Sequence, residues 1–285
     1  MSISEDANWP RASAWLKPDD GTKPDIAVFG VPANSTSISP TGADKTPAAI
    51  RAALSRYSLQ SSNGSLESLT ARDFGDISNP DQNEDATSKL AARLTGEARL
   101  TIALGGDNSI TFAVARHLNG GLITFDAHHD IRAGVSNGSP VRRLIDEAGL
   151  DPKRIVQIGI NDFSNSPEYS RQARDLGITV ITREELARRS PEDVIAQALE
   201  VAGPATHVDF DVDVCDRSFV PACPASAPGG ISAFELRTFA NLITRSTNVR
   251  SMDITEIDAT MDSADQRTVR LGALLILEAA KGLLV

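Results

Sequence analysis

Residues 122–132 read LITFDAHHDIR, a tetrad apolar but for Thr124 running directly into two carboxylates and two imidazoles. A nearly continuous apolar run is the pattern of a parallel strand buried on both faces. Its end carries Asp126, His128, His129 and Asp130, groups that a core excludes unless each finds a partner. The stretch therefore sets two expectations, a parallel sheet and something bound at the carboxyl end of one of its strands.

The rest of the chain extends the first expectation. Apolar runs at 26–29, 100–104, 155–160, 178–181, 206–212 and 249–254 predict further strands. Helical patterns at 47–54, 109–118, 140–148, 167–176, 191–201, 233–244 and 268–284 separate most of them. Such alternation predicts an α/β fold with a mainly parallel sheet and helices on both faces. The polar tracts 60–67 and 79–88 read as surface loops. The 285 residues read as one domain, 1–285, with residues 1–20 a peripheral N-terminal segment.

Composition narrows the class of partner. A net charge of −10 argues against nucleic acid, whose phosphates call for a basic surface. No apolar run approaches the roughly 20 residues of a membrane span. The acidic, charge-broken start lacks the basic end and apolar centre of a secretory signal, which predicts a cytoplasmic protein. Cys215 and Cys223 fit neither a disulfide framework nor a zinc spacing and read as reduced thiols.

The second expectation gains weight at residues 207–218, HVDFDVDVCDRS. At the period of a strand, Asp209, Asp211 and Asp213 would share one face, where like charges repel unless a cation holds them. Asp126, His128 and Asp130 repeat that spacing at the end of another strand. Carboxylates with one imidazole suit Mn²⁺, and Zn²⁺ or Fe²⁺ less well. With Asp126 and Asp211 able to bridge, the set suffices for two ions about 3.5–4 Å apart, the arrangement that activates a shared hydroxide.

These residues carry a resemblance. GGDNS (105–109), DAHHD (126–130), DVDVCD (211–216) with PACPASAPGGIS (221–232), and SMDITEID (251–258) occur in the order and spacing of the ureohydrolase family of arginases, agmatinases, guanidino-acid hydrolases and formiminoglutamases. The segment GVPANSTSISPTGADKTPAAIR (30–51) resembles that family's N-terminal signature, so the likeness spans about 29–256. It implies a three-layer αβα fold, two Mn²⁺ ions, and attack of hydroxide on a guanidinium or amidine carbon. It also implies that Asp126, Asp130 and Asp211 hold one ion and that Asp126, His128, Asp211 and Asp213 hold the other. Asn108 stands where the family places a further His ligand, so the first ion is expected to be held less tightly. By the same resemblance Glu256 grips the substrate's NH₂ groups, Asp216 is a helper acid, Asp130 is the proton carrier, and the protein is a homo-oligomer, a trimer or hexamer.

Loop chemistry points to the substrate. Where agmatinases read a proton-shuttling His, this chain has Asn137, and its loop resembles the His-free loop of formiminoglutamases. Arg132, Arg142, Arg143 and Arg217 gather positive charge near the expected site, suited to a substrate bearing carboxylates. The substrate-binding set is thus Arg132, Asn137, Ser139, Arg142, Arg217 and Glu256. The expected reaction is hydrolysis of N-formimidoyl-L-glutamate to glutamate and formamide, a step of histidine degradation. The alternatives are a guanidino hydrolase releasing urea and a metal-poor binding protein that has lost catalysis through Asn108. His129, between two candidate ligands, reads as a packed core residue, and His117 and His207, without motif support, read as structural.

Overall fold

The computed structural model describes residue 6 and residues 8–285; the remainder of the expected N-terminal segment, residues 1–5 and 7, lies outside the described residues. Nine strands make one sheet: β1 (Leu16–Pro18), β2 (Ile26–Val31), β3 (Ala71–Asp76), β4 (Leu100–Gly105), β5 (Leu122–Phe125), β6 (Ile155–Ile160), β7 (Thr179–Thr182), β8 (Thr206–Asp211) and β9 (Val249–Thr255). Their order is β1-β3-β2-β4-β9-β8-β5-β6-β7, and every neighbouring pair runs parallel.

Ten helices flank the sheet among the described residues: α1 (Ala12–Trp15), α2 (Thr46–Ala53), α3 (Glu84–Glu97), α4 (Ile110–Ala115), α5 (Pro140–Asp146), α6 (Pro167–Leu176), α7 (Arg183–Leu186), α8 (Pro191–Ala202), α9 (Ala233–Ile243) and α10 (Arg267–Gly282). Helices α5, α6 and α8 begin on a proline, whose fixed φ suits the first turn and whose missing N–H costs nothing there. Ser166 and Ser190 cap α6 and α8 by accepting from the N–H groups of Tyr169 and Asp193, worth about 1 kcal/mol each.

Strand alternation divides the core into layers. Ile26, Val28, Ile102, Ile123, Phe125, Val208, Phe210 and Ile254 pack against α2, α8, α9 and α10. Phe125 and Phe210 stack there with ring centres 4.9 Å apart. On the opposite face, Ala27, Phe29 and Ala103 meet α3 and α4, while Leu122 and Ile155 meet α4, α5 and α6. The result is the expected three-layer αβα fold. Between those two apolar patches runs a buried polar seam of Thr101, Thr124, His207, Asp209, Ser251, Asp253 and Thr255.

Three segments differ from expectation. The tract 79–88 is a loop only as far as Asn83, which caps the 14-residue α3 by accepting from Ala86 N–H. The buried stripe of α3 is made of Thr87, Ser88, Ala91, Leu94 and Thr95, too small and polar to announce an amphipathic helix. The tract 60–67 contains a short hairpin pairing Gln60–Ser61 with Gly64–Ser65. Within the segment expected at the periphery, Trp15 is buried and its indole donates to Leu69 O at 2.8 Å, and β1 forms the outer strand of the sheet.

Candidate metal centre

The central strands β4, β9, β8 and β5 lie side by side, and all four deliver polar residues to one rim, the usual position of a ligand in a parallel sheet. β4 leads into Gly106–Asp107–Asn108, β9 into Glu256, β8 ends on Asp211, and β5 runs into Asp126. The trio on β8 is not a single stack. The strand stops at Asp211 and a 3₁₀ turn, Val212–Val214, carries Asp213 sideways, where its Oδ1 accepts from Ala127 N–H at 2.9 Å. Asp209 stays inside the sheet, in register with Asp253.

Two sets of side chains converge at the rim. Asp126, His128 and Asp213 have ligand atoms all within 4.8 Å of one another, as do Asp126, Asp130 and Asp211, and Asp126 is common to both. Asp126 Oδ1 accepts from His128 N–H at 2.5 Å, whereas its buried Oδ2 has no hydrogen-bond partner among the described residues. Burial pushes the acids of Asp126 and Asp211 well up, and neighbouring carboxylates push them further. Burial disfavours the His128 cation, yet Asp213 at 2.7 Å prevails and the imidazole is raised to about 10. The Asp213 acid, which burial would raise, is lowered by His128. An unpartnered buried carboxylate oxygen, two interlocked oxygen-rich sets and an imidazole fit a pair of divalent cations.

The resemblance placed Asn108 among the ligands, and the structure turns its amide oxygen elsewhere. Oδ1 accepts from Thr111 Oγ1 at 2.8 Å and Thr255 Oγ1 at 3.2 Å, while Nδ2 donates to Asp130 Oδ2 at 2.7 Å. Asn108 therefore holds Asp130 instead of offering an oxygen to an ion. The Asp126–Asp130–Asp211 set is left without an imidazole.

Asp130 and Glu256 both have positive φ, at 52° and 62°. For non-glycine residues that backbone is costly and persists only where the surroundings impose it. Glu256 is fixed from both sides. Its N–H donates to Gly106 O at 3.0 Å, and the segment after it is pinned by Thr46 Oγ1 on Ile257 O at 2.5 Å and Gly42 N–H on Asp258 Oδ2 at 2.8 Å. The TGADKTP segment thus acts as a clasp on the Glu256 loop. Burial raises the Glu256 acid to about 8.

A cleft of about 460 Å³ opens over these groups, within the range of small-ligand sites. It is lined by His128, Asp130, Asp211, Asp213, Glu256, Arg132 and Asn137 from the expected set. Other expected residues lie elsewhere. Asp216 is half-buried and orders the 216–231 loop, accepting from Ser218 N–H at 2.8 Å and Gly229 N–H at 2.7 Å. Arg217 donates to the carbonyls of Cys223 at 3.1 Å and Ser226 at 3.2 Å, shaping that same loop. Arg142 pairs with Asp146 one turn along α5, and Arg143 is buried against Glu84, Glu147 and the ring of Phe112. Ser139 is buried and bonds Ser136. The expected arginine cluster therefore reduces to Arg132. Sequence reasoning missed Ser37, Ile38, Ser39, Ser164, Asn165 and Tyr169, which also line the cleft from the segments after β2 and β6. Their signal was positional, because loops following strand carboxyl ends face the ligand.

His129 is buried as expected. Its Nδ1 lies 2.6 Å from Gln157 Oε1, and Gln157 Nε2 donates to His129 O at 2.7 Å. Asn165 accepts from His129 N–H at 3.0 Å and donates to Ala127 O at 2.9 Å. The backbone on either side of His128 is thereby held by β6 and its following loop.

Comparison with known proteins identifies the family. The arginase family profile matches residues 24–281. The chain belongs to the arginase family. Among relatives in this family, the formimidoylglutamase of Bacillus subtilis is 34% identical over 279 residues, covering 90% of this chain and 86% of the relative. A guanidinopropionase of Pseudomonas aeruginosa is 28% identical, covering 89% of this chain and 85% of the relative. The crystal structure of the B. subtilis formimidoylglutamase superposes with a TM-score of 0.90 at 30% identity, covering 99% of this chain and 94% of that one.

Proposed function

We propose that this arginase-family chain is a metal-dependent hydrolase that converts N-formimidoyl-L-glutamate to L-glutamate and formamide, with two Mn²⁺ ions held by Asp126, His128, Asp130, Asp211 and Asp213. The observation that carries the reading is the pair of interlocked acidic sets sharing Asp126, beside a cleft that Glu256 also lines. When bound, two divalent ions would lower the pKa of a shared water toward neutrality and so supply hydroxide.

The chain's own residues do the rest. Glu256 accepts an N–H of the cationic amidine, fixing the formimidoyl carbon over the acidic rim. Arg132, which makes no ion pair among the described residues and lines the cleft, is placed to take a substrate carboxylate. Asp130, oriented by Asn108, carries a proton to the departing nitrogen as the carbon–nitrogen bond breaks. One water adds across that bond, giving the amine of glutamate and formamide.

Support for an amidine over a guanidine comes from the loop 131–139, which has no histidine, and from the formimidoylglutamases among the similar proteins. The guanidine reading has its own support in the guanidinopropionase relative. The ion at Asp126, Asp130 and Asp211 binds more weakly than its neighbour for want of an imidazole. A cytoplasmic location and a homo-oligomer belong to the same proposal; among the described residues no helix is long and apolar enough to cross a membrane.

Titrating Mn²⁺ into chelated protein while assaying formimidoylglutamate, agmatine, arginine and guanidinobutyrate tests the proposal. Turnover of formimidoylglutamate rising with two unequal binding steps is expected. Turnover of a guanidine alone overturns the substrate, and fewer than one ion per chain overturns the hydrolase in favour of a binding protein.

A further inference from the structure

Glu256 presents its two carboxylate oxygens unequally. Oε1 accepts two hydrogen bonds, from Asn108 N–H at 2.8 Å and from Asn137 Nδ2 at 2.9 Å, which occupies both of its lone pairs. Among the described residues none reaches Oε2, and that oxygen is not sealed from the cleft. The orientation of the Asn137 amide is set by its neighbours. Ile38 N–H donates to Asn137 Oδ1 at 3.0 Å, and the Asn137 main-chain N–H donates to Thr36 O at 3.3 Å. The oxygen end is thus committed to the 36–38 segment, and only the NH₂ end can face Glu256.

This asymmetry distinguishes amidines from guanidines. A carboxylate with both oxygens open receives a guanidinium as a fork, two parallel N–H bonds from two nitrogens. A formimidoyl group has a hydrogen on its central carbon where a guanidine has a second NH₂. With Oε1 occupied, that second NH₂ would meet the Asn137 NH₂, donor against donor. We propose that Asn137 is a specificity-determining positioning residue, which by occupying Glu256 Oε1 confines the carboxylate to one N–H of its ligand and so favours amidines over guanidines. The inference rests on the amidine reading above and adds a residue and a cause to it.

A matched pair of ligands tests it: N-formimidoyl-L-glutamate, and N-amidino-L-glutamate, which replaces the carbon-bound hydrogen with NH₂ and keeps the glutamate frame. On Mn²⁺-loaded wild-type enzyme, the KM of the first and the inhibition constant of the second are measured, and the same is done for Asn137→Ala and Asn137→Asp. Asn137→Asp preserves shape and the Ile38 contact while removing the donor. The inhibition constant relative to KM should fall about tenfold in both variants, the scale of relieving one buried unpaired donor, with metal content unchanged. Asn137→Gln, which retains an amide, should stay nearer wild type. An unchanged ratio in the variants, with wild-type enzyme still preferring the amidine, overturns the role of Asn137 alone. Wild-type turnover of guanidines without amidines overturns the substrate reading instead. Should Asn137→Ala lose its fold, Asn137→Asp decides.

Discussion

Asp209 and Asp211 stand two residues apart on one face of β8, and the molecule treats them differently. Asp209 lies in the polar seam, fully buried, beside Asp253, and Thr255 Oγ1 approaches it at 3.4 Å. His207 closes the seam from below, with Nε2 3.1 Å from Asp253 Oδ2 and Nδ1 2.7 Å from Ser251 Oγ. Burial first, and Asp253 second, push the Asp209 acid well up. Asp211 is one alternation further along, where the strand ends and the cleft begins. The difference teaches that spacing alone does not make a metal ligand. An acid inside the sheet is quieted by the polar seam that encloses it, whereas one at the strand end faces a cleft that can admit a cation.

The strongest way to break this contrast is at Asp126, the residue common to both acidic sets. Asp126→Asn should lower metal affinity by more than the roughly 10–100-fold typical of residues that only orient a ligand, and activity should fall with it. The chelated variant should melt above chelated wild type, because a buried carboxylate crowded by Asp130 and Asp213 has been removed. Elemental analysis and thermal melts in chelator check both halves. A variant that retains two ions per chain would show that Asp126 belongs with Asp209 among the quieted acids.

The seam should respond in the opposite way. His207→Leu removes the imidazole next to Asp253 Oδ2 and leaves a buried acid unpaired. A loss of about 3 kcal/mol in stability is expected, with metal content per folded chain unchanged. Urea unfolding of the Mn²⁺-loaded protein, paired with metal analysis of the folded fraction, reads the two separately. Metal loss in proportion to stability would mean that seam and rim are one unit.

How much of this was legible follows the same division. The strands showed because a parallel sheet buried on both faces needs apolar runs, and α5, α6 and α8 start on the prolines that predicted them. The strand β3, second from the edge of the sheet, was not visible, since ARDFGD is half-exposed and polar. The acids at the rim were legible from their spacing at strand ends. What spacing could not separate was Asp209 from Asp211, because the end of β8 is set by the turn at Val212–Val214 and by pairing with β9. The arginines misled for a related reason. A charge near a motif in sequence is as easily claimed by a helix neighbour, as Arg142 is by Asp146, or by loop carbonyls, as Arg217 is.

The smallest expected effect is a slope with pH, and it sharpens the contrast because raised acids of both rim and seam feed it while only the rim's share should respond to metal. An acid whose folded pKa is raised costs nothing below its unfolded value, and the cost grows as pH climbs toward the folded value. Burial, as the leading cause, raises the Asp130 acid from 3.8 to about 7 and the Glu256 acid from 4.5 to about 8. His128 contributes in the same direction: its pairing stabilises fully below 6.5 and is lost as pH rises toward about 10. Acids that are lowered in the folded protein, such as Asp213 and Asp265, have given their full contribution by about pH 5 and add no slope above it. Chelated protein should therefore lose melting temperature progressively between about pH 5.5 and 8.5. Protein loaded with Mn²⁺ should lose less, since cations favour the ionised carboxylates and the neutral imidazole. In Asp126→Asn, which relieves the crowding around Asp130, the chelated slope should shrink, while in His207→Leu it should persist on a lower baseline. A chelated protein whose melting temperature is flat or rises with pH would mean that the rim carboxylates are not held against their own charge, and the case for cations at this end of the sheet would lose its electrostatic basis.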